Sequence, residues 1–119
     1  MRFVLSIAVG ICFCALSTPM ALADEAPRLN VAPLCHGIAD QGVDPLETGD
    51  PVVSFNQCIE SEKNDRATVA KEWSQFSAES KQMCTDEATD SGESSYTDLL
   101  TCLEMARDVD NEESSRTSH

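Results

Sequence analysis

Four cysteines, Cys35, Cys58, Cys84 and Cys102, divide the chain at intervals of 18 to 26 residues, and two more, Cys12 and Cys14, lie in an apolar leader. That division decides what the chain can fold into. The leader reads as an export signal: Arg2 gives a positive start, Phe3 to Leu16 is almost continuously apolar, Pro19 breaks the run, and Ala21-Leu22-Ala23 offers small residues for cleavage after Ala23. The apolar run is shorter than the ~20 residues a spanning helix needs. Lipid attachment at Cys12 or Cys14 is disfavoured, because Ile11 and Phe13 stand where a small residue is required. The expectation is therefore a protein of the periplasm or of the medium, with no membrane attachment after the signal is removed. Four cysteines then remain in 96 residues, and an even number in a small exported chain reads as two disulfides.

Three pairings are open in principle. Cys35–Cys58 with Cys84–Cys102 is preferred, because each pair is centred on turn-forming sequence. Asp44-Pro45 to Asp50-Pro51 lies inside the first loop and Ser91-Gly92 inside the second. The competing pattern is Cys58–Cys102 with Cys35–Cys84. Loops of this size contribute about 3 kcal/mol each in the chain-entropy account, which matters where the core is small. Zinc ligation lacks its usual close ligand pairs, since no CxxC occurs, His36 directly follows Cys35, and His119 is the last residue.

Along the chain, residues 24–50 read as an irregular leader punctuated by Pro27, Pro33 and Pro45, with at most one helical turn near Leu34 to Ala39. A helical domain follows over residues 51–108. Asp50 followed by Pro51 is an N-cap with proline in the first helical position, opening a helix to about Phe76. Phe55, Ile59, Val69, Trp73 and Phe76 recur on one face of it. Glu62 and Arg66 occupy that face in its middle, four residues apart in the favourable order. They read as an intrahelical ion pair on a half-exposed seam or, functionally, as a polar pocket. Ser77 caps a second helix, Ala78 to Thr89, whose thin apolar content calls for a staple at Cys84. After the turn at Asp90 to Ser94, Ser95 caps a third helix, Tyr96 to Asp108, with Asp98 as capping-box partner. Trp73, Phe76, Tyr96, Leu99, Leu100 and Leu103 form the expected core. Residues 109–119 carry almost no apolar side chain and read as a disordered acidic tail. The fold class is thus all-α: a three-helix domain with two disulfides.

Charge narrows the partners. The chain carries 8 basic and 21 acidic residues, a net −13; without Arg2, 7 against 21 leaves −14. Nucleic acid and anionic membrane surfaces repel such a chain, whereas a basic protein is drawn to it. No phosphate-cradling glycine loop occurs, and neither histidine stands where a triad would need it. The segment Glu87 to Asp98 meets a calcium-loop template only at Gly92 and its final acid, which is too little ligand charge for a good site. No cofactor is expected, and the chain reads as non-enzymatic.

Two resemblances add to this. Cys58-Ile59, Glu62, Asp65-Arg66, Trp73, Phe76, Cys84 and the run from Ser95 to Met105 look like a group of small exported bacterial proteins without an assigned function. More distantly, Trp73, Phe76, Cys84, Gly92, Cys102-Leu103 and Arg107 resemble the small helical LprI-like domain of lysozyme inhibitors. That resemblance implies the Cys84–Cys102 bond and a basic lysozyme as partner. It departs in a longer interval from Phe76 to Cys84, in a single glycine at the turn, and in the polar signature around the first cysteines. The readings carried forward are a binding or inhibitor protein for a cationic partner, an acid-stress chaperone of the envelope, and a divalent-metal buffer.

Overall fold

The computed structural model describes residues 24–42 and 49–119. The export signal and its cleavage after Ala23 fall on residues 1–23, outside that range. Four α-helices are present among the described residues: α1 Ala32–Asp40, α2 Pro51–Glu72, α3 Ala78–Asp90 and α4 Tyr96–Thr117, with a 3-10 turn, Trp73–Gln75, closing α2. None of them is long and apolar enough to cross a membrane.

The three capped starts are where local chemistry puts them. Asp50 accepts from the Val52 amide and Pro51 follows it. Ser77 accepts from the Ser80 amide, and Ser95 from that of Asp98. Each side chain satisfies one of the amides that a helix leaves unpaired at its first turn. Gly92 turns the chain between α3 and α4 at φ +77°, a conformation that costs glycine little.

Two expectations need correction. The leader is not merely irregular, because α1 makes a fourth helix rather than one turn. Its Cys35 and Ala39 are buried against α2, and tertiary packing there outweighs a proline-rich composition. Nor does the last helix end at Asp108. It runs on to Thr117 through exposed residues, although polar composition predicts a disordered tail. The side-chain contacts of its last turns are all local: Glu112 and Arg116 approach at 3.9 Å four residues apart, and the hydroxyls of Ser114, Ser115 and Thr117 donate to carbonyls four residues back.

Packing is centred on the C-terminal part of α2. Val69, Trp73, Phe76, Cys84, Ala88, Tyr96, Leu99 and Leu103 form one buried cluster, with Leu100 and, from the extended segment before α1, Ala26, Leu29 and Val31 against it. The expected core is thus present, with Leu100 at its edge. Glu62 of α2 meets the start of α4, and Glu72 meets Arg107 at 2.9 Å, so α2 and α4 run side by side in the same direction. Helix α3 returns between them in sequence, and Cys84–Cys102 ties it to α4. At the other end His36 stacks on Phe55 and Cys35 bonds to Cys58, so α1 runs back along the first turns of α2. The disulfide pairing is the preferred one.

Candidate functional site

Glu62 and Arg66, expected as a pair, are separated. Glu62 is 4 % exposed, Arg66 is exposed, and no ion pair joins them among the described residues. The Glu62 carboxylate turns instead to the first turn of α4. It accepts from Ser95 Oγ at 2.8 Å and from the Tyr96 amide, and lies 3.2 Å from Thr97 Oγ1, whose single proton it shares with a closer carboxylate. Asp65, one turn along, accepts from the same Thr97 hydroxyl. A carboxylate placed at a helix N-terminus meets unpaired amides and the positive end of the helix dipole, so it needs no cation to be held there. Glu62 therefore docks α4 onto α2. A hollow of about 410 Å³ opens beside it, walled by Leu34 and Ile38 of α1 and by Ser54, Gln57 and Ser61 of α2.

The second concave surface lies on the outer face of the α3/α4 hairpin. It is a groove of about 510 Å³ lined by Met83, Glu87 and Ala88 from α3 and by Asp98, Thr101, Met105, Ala106 and Val109 from α4. On α4 these residues recur at three- and four-residue steps, which makes one continuous stripe. From Asp98 to Val109 the stripe is roughly 16 Å long at 1.5 Å per residue. Met83, Met105 and Val109 are 52 %, 65 % and 58 % exposed, three of the four exposed large apolar side chains among the described residues. Two carboxylates line the groove with them: Glu87 lies 3.5 Å from the Cys102 sulfur, and Asp98 closes one end. The Cys84–Cys102 bond underlies the groove and fixes the spacing of its two walls. A flexible thioether surface suits apolar shapes that a β-branched surface would reject.

Neither surface carries a catalytic constellation. His36 is exposed and stacked on Phe55 at 4.5 Å, remote from the hairpin, and His119 ends the chain. Among the described residues no group of three or more His, Cys, Asp or Glu side chains is arranged to hold a metal ion. The chain matches no family model, no curated protein and no solved structure.

Sequence reasoning anticipated Glu62 as a polar residue on an apolar face but not its partner. The groove is not announced by the sequence, because Met83 and Met105 stand at apolar positions of their helices and read as core. The available signal was that two methionines and a valine exceed what one small core could cover.

Proposed function

We propose that this chain is an exported, non-enzymatic binding protein whose α3/α4 face receives a basic protein such as a lysozyme. The observation that carries this reading is the groove itself: exposed Met83, Met105 and Val109 flanked by the carboxylates of Glu87 and Asp98. Apolar side chains give a partner shape to grip, and the flanking carboxylates select one that bears Lys or Arg beside its own apolar ridge. The net charge of −13 adds long-range attraction, which speeds encounter. Two disulfides suit an oxidising compartment outside the cytoplasm. The fixed hairpin supports the reading further, since a surface held before binding loses little freedom on binding.

Calorimetric titration of the oxidised chain with a basic lysozyme, at low and physiological salt, tests it. Saturable binding that survives the higher salt is expected, together with loss of lysozyme activity at excess. Met105→Glu should weaken the affinity at least tenfold with helix content unchanged. Heat that vanishes with salt would mean charge attraction alone, because charges are screened beyond ~8 Å at physiological ionic strength. That outcome would reject the groove as a shaped interface.

A further inference from the structure

A second surface has no part in the groove. Residues 24–31 form an extended strap laid across α2, the 3-10 turn and α3. Three kinds of contact hold it. The Tyr96 hydroxyl accepts from the Leu29 amide at 2.8 Å and donates to the Pro27 carbonyl at 3.1 Å. Ala26, Leu29 and Val31 rest on the core. At its beginning the Asp24 carboxylate meets the Lys81 ammonium at 2.7 Å, and that ammonium lies 5.1 Å above the Trp73 ring.

The charge distribution here is opposite to that of the molecule. Hollows of about 310 and 330 Å³ flank the strap, and the acids lining them, Asp24 and Glu25, both belong to the strap. The floor contributes Arg66 from α2, Trp73 from the turn and Lys81 from α3, without a carboxylate. In a chain of 21 acids and 8 bases, an acid-free floor bearing two cations marks a place that receives negative charge. A second observation is independent of charge. Trp73 is 6 % exposed, and its indole Nε1–H is buried without a hydrogen-bond partner. A buried donor left unpaired is costly, and few native groups are so. The nearest carboxylate on that side is Asp24, whose pKa is held below its ordinary value chiefly by Lys81 and only slightly by the proximity of the Trp73 indole, without a formed hydrogen bond to it. Its side chain remains largely in solvent, so it fills the position incompletely.

We infer that the floor beneath the strap is a binding site for an extended, carboxylate-bearing peptide segment, which the chain's own residues 24–31 occupy as a built-in ligand. Lys81 and the Trp73 N–H recognise the carboxylate. Tyr96 reads backbone alone, one carbonyl and one amide two residues apart, and so accepts any extended segment. The core edge takes an apolar side chain five residues after the acid, the place Leu29 fills. Because the strap is tethered, it competes at an effective concentration in the millimolar range. A partner segment therefore gains access only where the strap is loosened or the segment fits better. The groove uses Met83 and Glu87 of α3 and this floor uses Lys81 and Thr85, so the two surfaces are separate.

The chain has one tryptophan, and it lies in the site, so its emission reports occupancy directly. The probe is an acetylated peptide with the sequence of residues 24–31, which has no aromatic side chain. It is titrated into the oxidised chain from Asp24 onward, which contains all the helices described, and into the same chain carrying Asp24→Ala and Leu29→Asp to loosen the strap. A saturable change in Trp73 emission is expected in the loosened chain, at least tenfold tighter than in the unaltered one. Lys81→Met in the loosened background should weaken it at least fivefold, as should a probe with asparagine in place of its first aspartate. Asp24→Ala alone, at an exposed position, serves if the double variant loses helix content. Absence of a saturable change in a folded loosened chain, or a change indifferent to Lys81→Met, would overturn the inference and leave Asp24–Lys81 as a strap fastening only.

Discussion

The two disulfides close loops of similar size, 23 and 18 residues apart, but they hold very different neighbourhoods. Cys84–Cys102 sits within a cluster of eight buried residues drawn from α2, the 3-10 turn, α3 and α4. Cys35–Cys58 joins α1 to α2 where Cys35 and Ala39 are the buried apolar residues of α1, and neither belongs to that cluster. At one end the bond reinforces packing that already exists. At the other it supplements packing that is thin, because two buried side chains over nine residues repay little of the ordering of their backbone. The proposed interface is built on the first kind of region, with its walls on α3 and α4.

Breaking the well-packed end should have the largest effect. Leu103 is fully buried, and Leu103→Ala should lower global stability by about 2–5 kcal/mol through lost contacts and a residual cavity. Denaturant unfolding followed by Trp73 emission and by circular dichroism should move together. Cys35→Ser with Cys58→Ser comes next, at about 3 kcal/mol in the chain-entropy account. Its signature is local: α1 amides should lose hydrogen-exchange protection while those of α4 keep theirs. Equal loss in both helices would erase the distinction between the two ends.

Glu62→Ala probes the link between them. It leaves the Ser95 hydroxyl and the Tyr96 amide without their buried acceptor, at a cost of about 1–3 kcal/mol. Protection should fall first at the start of α4. Asp24 gives the smallest effect and one that depends on pH. Its carboxyl is held below the ordinary 3.8 chiefly by Lys81, so the charged form is favoured when the strap is docked. The sign follows from linkage: docking is fully supported above 3.8 and is lost as pH falls through the lower folded value. Trp73 emission should show a step at that acidic pH, and Asp24→Asn should abolish it.

What the sequence discloses follows the same division. Helix starts at Pro51, Ala78 and Tyr96 were legible because Asp50, Ser77 and Ser95 act on amides two or three residues away. The disulfide pairing was legible because turn-forming sequence lies midway between the paired cysteines. Glu62 could be seen as an acid on an apolar face, but its partners are 33 to 35 residues distant, and nothing local specifies the register of α2 on α4. Helix α1 was hidden for a similar reason, since its prolines speak for a loop and its support comes from α2. The end of α4 misled in the opposite sense. Its composition is that of a solvated tail, yet α4 continues through it, with its hydroxyls turned back onto carbonyls four residues earlier and no packing against the core. The floor beneath the strap is assembled from Arg66, Trp73 and Lys81 on three elements, so no spacing announces it.

The most direct test of the whole account is one calorimetric titration. A basic lysozyme is titrated at physiological salt into the chain carrying Cys35→Ser and Cys58→Ser. The groove lies on the well-packed end, so the affinity should stay within about twofold of the unaltered chain's, less than 0.5 kcal/mol in binding free energy. Loss of binding in that variant, with α3 and α4 still protected from exchange, would contradict it. The interface would then lie on α1 and the first turns of α2, not on the α3/α4 face.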